Sequence, residues 1–175
     1  SSDLVTGRPL VVEDWIDRVD SVLCTWHLGL EAPAAIAAAL SGRVNPGGRV
    51  PMTFPRAVGQ IPIYHDHERT GRPPQLDGMV LPDEQAEFAG PNNTFDYYTS
   101  KFIDLPLGPR FDFGHGLSYT TFELSDLTVS PDRLREQDDG AGTAEVSVTV
   151  RNTGTVDGDD VVLLFVTDAV ASVTQ

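Results

Sequence analysis

Residues 105–122 read LPLGPRFDFGHGLSYTTF, and the way this stretch is read decides the fold. Pro106, Pro109, Gly108, Gly114 and Gly116 keep its backbone out of regular ladders. Phe111, Phe113, Leu117, Tyr119 and Phe122 give it more apolar surface than a free linker carries. It is therefore predicted to be a tight, packed junction. The sequence before it has the grammar of an α/β domain, and the sequence after it that of a β-sandwich.

Working back from the junction, residues 55–110 have few periodic apolar positions and many turn residues, which predicts a long loop excursion. Upstream of that, SVLCTW (21–26) is apolar at nearly every position, as a strand covered on both faces would be. Leu10–Val12 reads as a second short strand, and EDWIDRVD between the two leaves room for barely two helical turns. After the loop HLGLE, Pro33 opens a helix with the body AAIAAAL, and Ser41-Gly42 ends it. Asn45-Pro46-Gly47-Gly48 is a turn, followed by an extended segment to Phe54 that is broken at Pro51.

Forward of the junction, period-2 alternation takes over. Leu124, Leu127 and Val129 belong to a strand over 122–130 that Pro131 closes. Val146, Val148 and Val150 face one side of the next strand, with Glu145, Ser147, Thr149 and Arg151 on the other. Asn152-Thr153-Gly154 turns the chain. DVVLLFVT (160–167) is apolar on both faces and is predicted to be a central or interface-facing strand. These three stretches fall short of the roughly seven strands of a sandwich of this type, so the sandwich is expected to be truncated at Gln175.

The totals narrow the function classes. With 26 acidic and 12 basic residues the net charge is −14, and Lys101 is the only lysine. That field repels nucleic acid and anionic membranes, so neither is expected as a partner. No apolar run approaches the roughly 20 residues of a membrane span. The single cysteine, Cys24, has no internal disulfide partner and leaves the compartment open. Gly47-Gly48 lacks the preceding strand, following helix and lysine of a phosphate loop. His65 and His67, with Glu68 nearby, lack the further ligand that would make a metal site, so no metal and no cofactor is expected. Asn92-Asn93-Thr94 has the form of a glycosylation sequon.

Several motifs in order carry a family resemblance. TGRPLVV (6–12), the run from VDSVLCTWHLGLEAPAAIAAALSG through NPGGRVPMTFP, YHDHERTGRPP, YTSKFID, FDFGHGLSYTTFELSDL and VRNTGTVDGDDVVLLFVT resemble the C-terminal part of glycoside hydrolase family 3 enzymes, especially the bacterial periplasmic-type β-glucosidases and β-xylosidases. Leu28, where the family usually has proline, and Ala32-Pro33, where small glycines are common, depart from the pattern.

The resemblance implies the terminal part of an α/β sandwich domain over 1–64, an irregular linker packed on it over 65–117, and the start of a fibronectin type III-like (immunoglobulin-like) β-sandwich over 118–175. The fold class is thus α/β followed by all-β. It implies a retaining β-glycosidase that acts on a β-linked oligosaccharide or aryl glycoside, periplasmic or secreted, with the cytoplasm left open and a homodimer as an open arrangement. The nucleophilic aspartate of the family belongs to an N-terminal barrel, in cis and outside this chain, and the acid/base glutamate lies upstream of Val5. No catalytic residue is therefore expected among these 175.

Ligands of open α/β sheets sit beyond the carboxyl ends of strands, which makes Trp26, His27 and Glu31 the candidate substrate-proximal residues. Trp26 would stack on a sugar face, and Glu31 would orient a neighbouring loop. The same residues also read as core (Trp26) and as an acid at a helix N-terminus (Glu31). The alternative function is a non-catalytic immunoglobulin-like module that binds carbohydrate or protein.

Overall fold

The computed structural model describes residues 2–66, 100–106, 108–131 and 142–166. They belong to two compact units, each discontinuous in sequence: one drawn from 1–28, 50–115 and 163–175, the other from 29–49 and 116–162.

In the first unit β1 (Ser2–Leu4) pairs in parallel with β2 (Val22–Cys24), with Leu4 opposite Cys24. The Thr25 N–H extends the ladder to the Leu4 carbonyl at 3.1 Å. The strand expected at SVLCTW is β2, although its side chains are half-buried rather than covered on both faces. The strand expected at Leu10–Val12 does not form, and Ser2–Leu4 takes its place. The cause is local. The Thr6 hydroxyl donates to the Arg8 carbonyl (2.8 Å) and accepts from the Arg8 N–H (3.3 Å), which turns the chain, and Pro9 then offers no ladder donor. Val12 instead becomes core at 1% exposure, and its carbonyl accepts from Trp15 and Ile16 to start a single 3-10 turn over Ile16–Arg18.

The first half of the junction stretch is held in this unit. Phe54 and Phe111 form an antiparallel bridge, with Phe54 N–H to Phe111 O and Arg110 N–H to Phe54 O both 2.8 Å. Val50 N–H to His115 O and Gly114 N–H to Val50 O, also 2.8 Å, continue the pairing past Pro51. Phe54 is 3% exposed; the Trp26 ring lies 6.0 Å away, tilted, and the Phe111 ring 6.0 Å away, edge-on. Around this core, buried Gln60 accepts from the Arg56 N–H (2.6 Å) and donates to the Gly108 carbonyl (3.1 Å). Glu13 pairs with Arg56 at 2.7 Å, and Arg110 pairs with Asp17.

In the second unit α1 (Ala32–Leu40) carries proline in its first turn and alanine through its body. It ends as Ser41-Gly42 predicts. Gly42 sits at φ 72°, its N–H bonds to Ala39 O (3.0 Å) and the Arg43 N–H bonds to Ala38 O (2.9 Å), the two bonds of a Schellman cap. Asn45 follows as a hub. Its Oδ1 accepts from the Ser118 hydroxyl and the Tyr119 N–H, both at 2.8 Å, and its Nδ2 donates to Asp157 O at 3.0 Å. Beside it Arg49 pairs with Asp160, each side chain 14% exposed. Gly47 and Gly116 serve close approach of backbone here, since a Cβ on Gly47 would lie 2.9 Å from Asp159 O and one on Gly116 2.7 Å from Gly48 O, whereas one on Gly48 would meet nothing within 4 Å.

β3 (Phe122–Ser130) and β4 (Glu145–Asn152) pair antiparallel. Leu124 faces Val150 and Val129 faces Val146, so Leu124 and Val129 share the face of the β4 valines. Two residues an odd number of positions apart cannot share a face of an uninterrupted strand. The irregularity between Ser125 and Thr128 supplies the extra residue, and Asp126 there adopts φ 54°. Asp126→Val is expected to destabilise the hairpin by about 1–2 kcal/mol, and Asp126→Gly to be neutral or stabilising, because only the branched side chain opposes the left-handed conformation. Amide exchange of Thr149 and Val150 reads this out; equal protection in both variants would remove the bulge as the register device.

The run expected to form a central or interface-facing strand over 160–167 does not do so: its described residues, 160–166, enter no ladder. Side chains fix it instead, through Asp160 on Arg49, Leu163 against Gly114, and Phe165 beside His65 and Phe113. Apolarity on both faces supplied no neighbouring strand among the described residues, and a strand exists only with a neighbour. Thr167 lies outside them.

Candidate functional site

Because β1 and β2 run parallel, the segments that leave them emerge at one edge: Thr6–Arg8 after β1 and Thr25–His27 after β2. This is the edge at which an open α/β sheet presents groups to a ligand. Trp26 occupies it with φ 54°, a conformation that costs a bulky side chain of the order of 1–3 kcal/mol and that its surroundings must hold. The neighbouring Phe54 ring does so, and leaves the indole half-buried.

His27 is exposed, with its imidazole over Gly7: a Cβ added to Gly7 would lie 2.8 Å from Nε2. Glycine at position 7 is therefore what lets the two loops approach. Glu31 belongs to the second unit. It is the N-cap residue of α1, exposed, with no capping bond from its side chain, while its carbonyl accepts from Ala35 N–H at 3.0 Å. Trp26 and His27 thus share one edge, and Glu31 is placed by its helix.

The first unit also holds a cleft of about 410 Å³ that sequence reasoning missed. Arg8, Met52, Ile61, Tyr64, His65 and Phe113 line it, together with proline rings. These residues come from four separate segments, so no local pattern announced it. His65 stacks on Phe113 with ring centroids 4.3 Å apart, and its Nδ1 lies 4.0 Å from the Asp66 carboxylate. His67, Glu68 and the Asn92 sequon lie outside the described residues.

The arrangement limits the chemistry. Glu13, Asp17 and Asp160 each pair with an arginine through one carboxylate oxygen. An edge with an aromatic ring and an imidazole offers an apolar face and a hydrogen-bonding group to a ligand.

Comparison with known proteins places this edge in a family. The family model described as the glycosyl hydrolase family 3 C-terminal domain matches residues 3–119. A periplasmic β-glucosidase of Salmonella typhimurium is 42% identical over 172 residues, 98% of this chain and 20% of that protein. A β-xylosidase of Formosa agariphila is 36% identical over 170 residues, 97% of this chain and 20% of that one. The crystal structure of a Listeria innocua β-glucosidase in complex with glucose superposes on 99% of this chain and 21% of its own, with TM-score 0.77 and 35% identity. The chain belongs to glycoside hydrolase family 3. It spans about a fifth of the length of the relatives it matches.

Proposed function

We propose that the intact protein is a retaining β-glycosidase acting on β-glucosides or β-xylosides, in which this chain braces the active site rather than performing the chemistry. The observation that carries this reading is the 42% identity to the Salmonella typhimurium periplasmic β-glucosidase across 98% of the chain. A retaining mechanism needs two carboxyl groups about 5–5.5 Å apart across the glycosidic bond. No pair within this chain is assigned to that task. The nucleophile and the acid/base are supplied by sequence outside it.

In this reading residues 1–64 complete an α/β sandwich domain, 65–117 form the linker and 118–175 begin a fibronectin type III-like domain. Trp26 and His27 stand beside the bound sugar, and Glu31 is the candidate on the second unit. The indole offers an apolar face, the imidazole a hydrogen bond, and Glu31 fixes the start of α1 at the favourable end of its dipole. The substrate is a β-linked oligosaccharide or aryl glycoside, the compartment the periplasm or the exterior.

The test uses the intact protein with 4-nitrophenyl β-glucoside and β-xyloside. Turnover of at least one is expected, with Trp26→Ala and His27→Ala each lowering kcat/KM about 10- to 100-fold, as small displacements around a reacting centre do. The 175-residue chain alone is expected to be inert. An intact protein inactive on both substrates, or turnover by the isolated chain, contradicts the proposal.

A further inference from the structure

The cleft of the first unit is lined by Arg8, which follows β1, and by residues of three other segments. We infer that it binds a small aromatic carboxylate, a benzoate- or cinnamate-like acid, with the ring against its apolar wall and the carboxylate on Arg8.

Size and lining select the class. A volume of about 410 Å³ falls in the range of small-molecule sites, roughly 300–1,000 Å³, and accommodates one substituted ring. Most of the lining residues are apolar, among them Met52, Ile61, Ile63, Phe113 and the rings of Pro9 and Pro62. A largely apolar wall gains more from the burial of an aromatic ring than from that of a polyhydroxylated sugar. The wall is also flat and fixed. His65 lies on Phe113 at 4.3 Å with 21° between planes, and Phe165 meets Phe113 edge-on at 6.3 Å. Such a stack offers edges and faces to a further ring. Met52, Ile61 and Tyr64 are half-exposed, so the cleft is open to an incoming ligand.

Arg8 supplies the charge selection. In a chain of net charge −14, Arg49, Arg56 and Arg110 each face a carboxylate. Arg8 has none among the described residues, although its backbone is pinned by the Thr6 hydroxyl through bonds of 2.8 and 3.3 Å. An arginine lining an apolar cleft, without an acid among the described residues, matches a carboxylate brought by the ligand, which its planar fork grips with two parallel hydrogen bonds.

The experiment measures binding of 4-hydroxycinnamate and of its neutral methyl ester to the intact protein by titration calorimetry, with and without saturating glucose. The acid is expected to bind at least tenfold more tightly than the ester, and glucose to leave that binding unchanged. Arg8→Met is expected to bring the acid down to the ester's affinity without altering the ester. Met52→Glu, an exposed change that sets a second carboxylate in the cleft, is expected to weaken the acid selectively. Equal affinities for acid and ester, an unaltered Arg8→Met variant, or no binding at millimolar acid overturns the inference. So does displacement by glucose, which would assign the acid to the sugar site. Turnover is not read, so a failure here is distinct from a failure of the glycosidase reading.

Discussion

Phe54→Ala is expected to cost the first unit about 3–5 kcal/mol, the usual loss when a buried phenylalanine is truncated and its cavity cannot collapse. Collapse is hindered because Phe54 is fixed by backbone on both sides: its N–H bonds to Phe111 O, and its carbonyl accepts from Arg110. Its ring also supports Trp26 and Phe111, each with centroids 6.0 Å away. Trp26 is held in a left-handed conformation that relaxes once the ring is removed. Phe54→Leu, which preserves most of the volume, is expected to cost less than about 1.5 kcal/mol. Amide exchange at Thr25 and Gly114 in the intact protein reads both variants. An alanine variant as protected as the leucine variant would show that the ring is not the keystone of this core.

The second large effect falls on Asn45. Its side chain makes three hydrogen bonds, to the Ser118 hydroxyl, the Tyr119 N–H and the Asp157 carbonyl. At about 1 kcal/mol each, Asn45→Ala is expected to lower the opening free energy of the second unit by about 3 kcal/mol, accelerating exchange at Tyr119 and Thr153 by roughly 150-fold. Ser118→Ala, which removes one of the three bonds, is expected to cost about a third as much. If the Ser118→Ala variant exchanges as fast as the Asn45→Ala variant, the other two bonds do not hold the hub.

The difference between what was legible and what was not follows the range of the interactions. The body of α1, its stop at Ser41-Gly42, β2 and the alternation of β4 are all set within a few residues by propensity, capping and period, and they were readable. The turn that Thr6 makes with Arg8 displaced the first strand from Leu10–Val12 to Ser2–Leu4; two hydrogen bonds outweighed a three-residue apolar run. The expected strand at 160–167 lost to Arg49 and to the His65–Phe113 stack, partners about a hundred positions or more away from it or reached only through folding. Trp26 and His27 were chosen as candidates from their place after β2, but Gly7, which gives His27 its space, and Arg8, which flanks the cleft, carry no signal until β1 is set beside β2.

The hub at Asn45 also sets a timetable for synthesis. Its partners lie 73 residues ahead at Ser118 and 112 residues ahead at Asp157. At about 5–20 residues per second on the ribosome, α1 and its loop wait roughly 6–22 s for the last of them. During that interval the Asn45 side chain and the Ala39 carbonyl lack their later partners, and the helix is too short to persist by itself. Birth of this unit is therefore a late event in translation, and the nascent chain spends those seconds as a client for whatever shields apolar segments at the exit tunnel.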